Sequence, residues 1–295
     1  PRRRIVIVGA GPAGMEAARV AAERGHEVVV FEAADAAGGQ VRLTAQSPRR
    51  REMIGIIDWR MAQCERLGVA FRFNSWADAE TVLAEKPDVV VIATGGLPHT
   101  EVLKQGNEFV VSAWDLIAGD VRPGSDVLIF DDAGDHAALQ AAEIAANAGA
   151  KVEVMTPDRM FAPEIMGMNL VPYMRSLQMK DVTFTVTFRL EAVERDGNRL
   201  IAHIGSDYGG VAKQRSFDQI VVNHGTIPLD DLYFELKPES TNLGEISYDQ
   251  LIAGRQQTVV RNSEGTFQLF RIGDAVAARN THAAIYDALR LLKDI

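Results

Sequence analysis

The sequence predicts an α/β protein of two parallel-sheet domains, the second inserted in the first, and three observations carry that prediction. A β-branched run at residues 5–8 leads through a glycine-rich turn at 9–14 into a helical stretch at 15–23. The same order of strand, turn and helix returns at 127–130 and 137–148. A further strand at 267–272 and a helix from Thr281 lie at the far end of the chain and are assigned back to the first domain. The expected domains are 1–105 with 255–295, and 106–254. A length of 295 residues suits two domains of about 150 residues each.

Residues 5–8 are apolar without interruption, as a parallel strand covered on both faces must be. The turn that follows reads Gly9-Ala10-Gly11-Pro12-Ala13-Gly14. In a βαβ unit such a turn holds a dinucleotide. Gly9 allows the tight turn, Gly11 lets backbone approach a pyrophosphate, Gly14 lets helix pack on strand, and the helix N-terminus offers free N–H groups to the phosphates. The second strand, 28–31, ends on Glu32 and Ala33, and 32 − 9 = 23 residues separate the acid from the first glycine. A carboxylate there accepts ribose hydroxyls and repels a 2′-phosphate.

Beyond it come Gly38-Gly39-Gln40 and an amphipathic stretch at 56–67 containing Cys64. A buried strand at 88–93 then runs into Thr94-Gly95-Gly96. The second domain opens with the strand 127–130, the helix 137–148, Gly149 as its cap and the strand 151–155. Its turn reads Asp131-Asp132-Ala133-Gly134-Asp135-His136, with no glycine at a fingerprint position and three carboxylates where a pyrophosphate would bind. Its second strand ends on Met155-Thr156-Pro157 without an acid, and Arg159 is the group nearby that could meet a 2′-phosphate. Residues 184–193 and 199–204 read as a hairpin turning at Asp196-Gly197, and 218–225 as the counterpart of 88–96.

Composition excludes several classes. The net charge of −9 and the absence of long basic runs argue against nucleic-acid binding. A single cysteine excludes a disulfide, a four-cysteine zinc site and a cysteine-held cluster within the chain, so electron chemistry here requires an organic cofactor. No apolar run reaches the ~20 residues of a membrane span, which predicts a cytoplasmic protein. The start at Pro1, almost directly in a strand, suggests that sequence has been removed upstream. His136, His224 and His282 are read as polar groups with local partners, and Cys64, Trp59 and Trp114 as core residues. Arg2, Arg3 and Arg4 are read as a solvated lead-in, and no metal site or catalytic residue is assigned.

Taken together, GAGPAG, Glu32, GGQ, ATGG and RIGDA resemble the flavoprotein fold of the glutathione-reductase type, with two Rossmann-like dinucleotide-binding domains. The resemblance implies FAD on the first domain, at Gly9, Gly11, Pro12, Ala13, Gly14, Glu32 and Ala33. It places Gly39 and Gln40 beside the pyrophosphate and flavin, Thr94 and Gly95 in the cofactor crevice, and backbone near Trp76 against the adenine. Asp274, after Gly273, is then the residue that holds the ribityl chain. The stretches GGQVRLTAQSP and DWR with the late IGDA resemble, more closely, the C-terminal half of the multidomain Old Yellow Enzyme relatives. That family includes 2,4-dienoyl-CoA reductase, trimethylamine and dimethylamine dehydrogenase, and N-methylproline or dimethylglycine demethylase. Its N-terminal barrel carries FMN and a 4Fe–4S cluster, and neither barrel nor cluster motif is in this sequence.

The resemblance implies a flavin-dependent oxidoreductase module that relays electrons between a barrel partner and an acceptor or NAD(P)H. A structural module holding ADP without redox activity is one alternative, and a free-standing NAD(P)H:flavin reductase another. Whether the second domain takes NAD(P)H, and whether the chain forms a homo-oligomer, stay open at this point.

Overall fold

The computed structural model describes residues Pro1–Ile295 and resolves them into two units, each built on a five-stranded parallel sheet. In chain order the elements are β1 (Arg4–Val8), α1 (Pro12–Glu23), β2 (Glu27–Phe31), α2 (Gln40–Thr44), α3 (Gly55–Arg66), β3 (Ala70–Arg72), α4 (Ala79–Ala84) and β4 (Val89–Ile92). Next come β5 (Gly96–Pro98), β6 (Val111–Ser112), α5 (Ala113–Ala118), β7 (Asp126–Asp131), α6 (His136–Asn147), β8 (Lys151–Met155), α7 (Met166–Gln178) and β9 (Thr183–Thr185). The chain continues through β10 (Arg189–Asp196), β11 (Arg199–Gly205), β12 (Lys213–Phe217), β13 (Gln219–Asn223), β14 (Thr226–Pro228), α8 (Asp231–Leu236), α9 (Tyr248–Ile252), β15 (Gln268–Arg271) and α10 (Thr281–Leu292).

The first unit comprises residues 1–45, 49–97 and 227–295, with strand order β15-β4-β1-β2-β3. Residues 5–8 of β1 are all buried because the sheet is covered on both sides. Ile5 and Ile7 face Ala17, Ala18 and Ala21 of α1 and Ala288, Leu291 and Leu292 of α10, while Val6 and Val8 join Val82, Tyr233, Leu236 and Phe267 on the other face. Fully burying one such aliphatic side chain contributes about 1.5–3 kcal/mol.

The second unit comprises residues 46–48 and 98–226, with order β6-β13-β7-β8-β9; β13-β7-β8-β9 repeats the order β4-β1-β2-β3, while the edge strand β6 precedes them in the chain where β15 follows. An antiparallel sheet β10-β11-β12 belongs to it, and its Leu190, Val193, Leu200 and Ile204 cover Leu128, Phe130 and Val222. β5 and β14 form a two-stranded ribbon. No helix is long and apolar enough to cross a membrane.

Four expectations need correction. The boundaries between the two units lie at 97/98 and 226/227, not at the expected 105/106 and 254/255. Residues 227–254 stay with the first unit because Tyr233 and Leu236 of α8 sit in its core and the buried Asn242 is bonded to β15. Its Nδ2 donates to Leu269 O at 2.8 Å and its Oδ1 accepts from Leu269 N at 2.8 Å. The hairpin does not begin at 184, since Phe184 pairs in parallel with Val154 of β8. Thr187, at φ +64, then breaks the strand before Arg189 opens the hairpin. Trp59 is not core but 51% exposed, with the guanidinium groups of Arg19 and Arg60 5.6 and 5.4 Å from its ring. Arg4 is no lead-in, since it starts β1 and pairs with Glu27 and Glu85. Cys64 is buried, and burial pushes its thiol up to about 11.

Candidate functional site

In both units the strand order reverses direction beside the central strand, and in open α/β sheets ligands bind in the crevice beyond the strand ends at that point. In the first unit these ends belong to β1 and β4. Gly9 N donates to Phe31 O at 2.8 Å and Ala93 N to Val8 O at 2.8 Å, so the first turn lies directly against the end of β4. Gly9 has φ +103, and a Cβ there would stand 2.3 Å from Ala93 O. A Cβ on Gly14 would stand 1.8 Å from Gly9 O, so turn and helix touch backbone to backbone.

Gly11 differs from both. It is the N-cap of α1, makes no side-chain cap, is followed by no acid in the first turn, and a Cβ on it would meet nothing within 4 Å. The first N–H groups of α1 thus have neither a capping side chain nor a nearby acid, and they carry the partial positive charge of the helix. Pro12 fills the first helical position without losing a bond, since its missing N–H would be unpartnered there.

Two further segments close on this turn. Gly38 N donates to Ala10 O at 2.8 Å, and a Cβ on Gly39, at φ +48, would lie 3.4 Å from Gly11 Cα. A Cβ on Gly273, at φ +62, would lie 2.9 Å from the Cβ of Ala13. The two segments are joined by Gln40, whose Nε2 donates to Asp274 Oδ2 at 3.3 Å, while Asp274 Oδ1 accepts from Arg279 N at 3.1 Å. Burial raises the Asp274 carboxyl above its usual range against these two bonds.

At the other end of the crevice Glu32 Oε2 accepts from Ala10 N at 2.7 Å and its Oε1 from Ala34 N at 2.9 Å. A carboxylate offers about four acceptor positions, so about two stay available. Ser75 N donates to Glu32 O at 2.9 Å, which brings the 75% exposed Trp76 to the Glu32 side, next to the exposed Ala33. Thr94 Oγ1 donates to Leu229 O, and Gly95 O accepts from Leu229 N.

Thus Gly9, Gly11, Pro12, Ala13, Gly14, Gly39, Gln40, Gly273 and Asp274 converge, and Glu32 joins them through Ala10. Sequence reasoning missed Arg271 and Asp287. Arg271 pairs with Asp230, 41 residues away, and lies 4.6 Å over the Tyr233 ring. Asp287 accepts from Gly273 N at 3.3 Å and pairs with Arg279. Arg271 stood inside the RIGDA motif, but the distance in sequence hid its partner.

The equivalent turn of the second unit is built differently. Asp131 ends β7 with 0% exposure, and its Oδ1 accepts from Gly134 N at 3.0 Å, Ala133 N at 3.3 Å and Asn223 Nδ2 at 3.0 Å. Its Oδ2 is buried without a partner. Burial, aided by Asp135, pushes this carboxyl up to about 7 against the bonds from Gly134 and Asn223. Asp135 is the N-cap of α6, accepting from Ala137 N at 2.8 Å and Asn223 Nδ2 at 2.9 Å. Asp132 pairs with Arg189 at 3.1 Å and lies 3.5 Å from Nδ1 of the buried His224, which meets Phe130 edge-on. The three carboxylates are thus internally engaged. His136 is the first residue of α6, facing Tyr173, and His282 stacks on Tyr286.

Residues 7–56 match a family described as an NAD(P)-binding Rossmann-like domain. Over 294 residues the chain is 79% identical to a probable N-methylproline demethylase of Rhizobium meliloti (strain 1021), covering 100% of this chain and 43% of the relative. It is 44% identical over 305 residues to an N,N-dimethylglycine/sarcosine dehydrogenase of Chromohalobacter salexigens, covering 100% of this chain and 44% of that protein. A solved 2-naphthoyl-CoA reductase superposes with TM-score 0.81 at 28% identity, over 100% of this chain and 40% of the other. Lactococcus lactis thioredoxin reductase shares the fold end to end, with TM-score 0.68 at 18% identity over 99% of this chain and 97% of that one. The chain therefore spans less than half the length of the curated relatives described.

Proposed function

Because this chain belongs to the multidomain Old Yellow Enzyme-like family of demethylases, dehydrogenases and reductases, we propose that its first unit binds FAD and serves as the electron-relay module of a longer oxidoreductase. The observation that carries this reading is the bare N-terminus of α1 at Gly11, with Glu32 at one end of the crevice and Asp274 at the other.

The spacing suits an extended dinucleotide. Glu32 has acceptor positions left for the adenosine ribose, and Ala33 and Trp76 border the adenine end. Gly9, Gly11, Pro12, Ala13 and Gly14 present backbone to the pyrophosphate, with Gly39 opposite. Gln40 orients the Asp274 carboxylate toward a ribityl hydroxyl, and Gly273 sets the turn that carries it. Thr94 and Gly95 bound the crevice from β4. Bound flavin supplies the redox chemistry, and the protein supplies placement and local charge.

The relatives at 79% and 44% identity are named for N-methylproline and for dimethylglycine and sarcosine. N-methylated amino acids are accordingly the substrate class we assign to the complete protein, with the substrate pocket and an FMN/4Fe–4S barrel partner lying outside this chain. Denaturing the purified chain and identifying the released nucleotide by chromatography and mass tests the cofactor. Stoichiometric FAD, with the visible bands of an oxidised flavin before release, is the expected result. Release of ADP alone, with no flavin taken up on reconstitution, overturns it in favour of a structural role.

A further inference from the structure

The fold implies a second dinucleotide site at β7, α6 and β13, and the residues present there do not fit one. The two units can be compared position by position through their strand registers. Val8 pairs with Phe31 and with Ile92 in the first sheet, as Phe130 pairs with Met155 and with Val222 in the second. One step on, Gly9 corresponds to Asp131, Glu32 to Thr156, and Ala93-Thr94-Gly95 to Asn223-His224-Gly225. The last glycines match in backbone too, at φ +75 and +77. Glu32 N and Thr156 N make the equivalent bond to the neighbouring strand, to Arg72 O and Thr185 O. At the helix start, the N-cap Gly11 corresponds to Asp135.

We infer that the second unit takes no nicotinamide dinucleotide, because its own carboxylates hold the positions that a pyrophosphate needs. Asp135 already accepts from the first turn of α6, at Ala137 N, where a phosphate oxygen would bind. Asp131 stands at the place where the first unit has a glycine, and it is pinned by Gly134 N, Ala133 N and Asn223. Asn223 Nδ2 donates to both Asp131 and Asp135, so neither swings away without leaving one N–H of this buried amide unpartnered.

The turn is also covered. A Cβ on Gly134 would meet Pro163 Cδ at 2.7 Å, and Glu164 N donates to Gly134 O at 3.1 Å. The ribose end lacks its acid, since Thr156 Oγ1 accepts from Asp158 N. Arg159, the group the sequence offered for a 2′-phosphate, donates its Nε to Tyr208 Oη at 3.2 Å. Above about pH 8, where both carboxylates are ionised, bringing a pyrophosphate to a few ångströms from them costs on the order of a hundredfold or more in affinity. Resting on the reading of the first unit as the FAD site, a flavin there exchanges electrons with a group carried elsewhere than on the second unit.

Hydrogen–deuterium exchange resolved by peptide tests this, with about 1 mM NADH, NADPH or FAD added separately. Neither nicotinamide dinucleotide is expected to protect peptides covering 132–140, and saturable protection there by either overturns the inference. FAD protection of peptides covering 9–15 is read independently, so its absence counts against the first-unit reading and leaves this one standing. The variant Asp131→Asn with Asp135→Asn keeps the side-chain shapes and the helix cap while removing both charges. At about pH 8.5, where the parent carries both charges, it is expected to bind inorganic pyrophosphate at least about tenfold tighter than the parent. Equal affinity overturns the assignment of the block to these carboxylates.

Discussion

The turn at residues 9–11 and the turn at residues 131–135 occupy equivalent places in two sheets that share the order of four strands, and they treat a helix N-terminus in opposite ways. The first leaves it bare: Gly11 caps α1 with no side chain, and no acid stands in the first turn. The second fills it from within, with Asp135 on α6 and Asp131 behind. Both solutions satisfy the rule that helix-terminal N–H groups find a partner. One does so only when an anion arrives, and the other does so at all times. On the proposed reading, the chain separates a unit that is loaded with a dinucleotide from a unit whose helix N-terminus its own side chains cap.

Gly14→Ala breaks the comparison hardest, because it attacks the feature that lets the first turn be short. The added methyl would be placed 1.8 Å from Gly9 O, a backbone atom that cannot rotate away, so α1 must leave the sheet. A loss of at least about 3 kcal/mol in the unfolding of the first unit is expected, with loss of bound flavin. Urea unfolding followed by the exposure of Cys64, buried under α1, measures it. A variant that keeps both stability and flavin refutes the packing argument.

Gly11→Asp converts the first turn toward the second. A side chain at Gly11 meets nothing within 4 Å, and aspartate is a better N-cap than glycine, so stability should hold or rise slightly. The new carboxylate takes the anion position, and FAD affinity is expected to fall about a hundredfold in a titration of apoprotein. An unchanged affinity would remove the pyrophosphate from the Gly11 N–H groups.

Asp131→Asn sharpens the comparison from the other side. The Asp131 carboxyl is raised to about 7 in the folded protein, against about 3.9 in an unfolded chain. Between these values the folded state holds a proton that the unfolded state has lost. Its contribution is therefore complete below about pH 4, declines as pH rises, and is gone above about pH 7. Asparagine keeps the acceptor for Gly134, Ala133 and Asn223 without the charge. The variant should match the parent near pH 4 and exceed it by about 4 kcal/mol at pH 8, read from urea unfolding of the second unit. A difference that does not vary with pH would show that the buried charge is not what distinguishes this turn.

Much of this contrast was legible in the sequence, for an identifiable reason. Parallel strands covered on both faces must be continuously apolar, so 5–8, 89–92 and 127–130 announced themselves. The glycines at 9, 11 and 14 are demanded by close backbone contacts that few other residues allow. The carboxylates at 131, 132 and 135 were equally visible as misfits. What they bond to was not, because Asn223 and Arg189 come from strands 57 to 92 residues away. The domain boundary failed for the same reason. Tyr233, Leu236 and Asn242 lie in a stretch without periodic pattern, and only the docking of that stretch on β15 assigns it to the first unit. Phe184 was joined to the wrong sheet because an apolar β-branched run does not say which neighbour it will pair with.

Glu32→Gln gives the smallest expected effect and the most discriminating one. Glu32 uses one oxygen on Ala10 N and the other on Ala34 N, so a glutamine keeps one of these bonds and turns its amide toward the other donor. The cost is one hydrogen bond and part of the ribose contact, about 1 kcal/mol or about fivefold in ADP affinity. The same change removes the charge that repels a 2′-phosphate. The preference for ADP over its 2′-phosphorylated form should therefore fall by more than the ADP affinity itself, in competition against bound FAD. A preference that survives the substitution would mean that crevice shape, rather than the Glu32 carboxylate, excludes the phosphate, and Thr156 in the second unit would then lose its meaning as a missing acid.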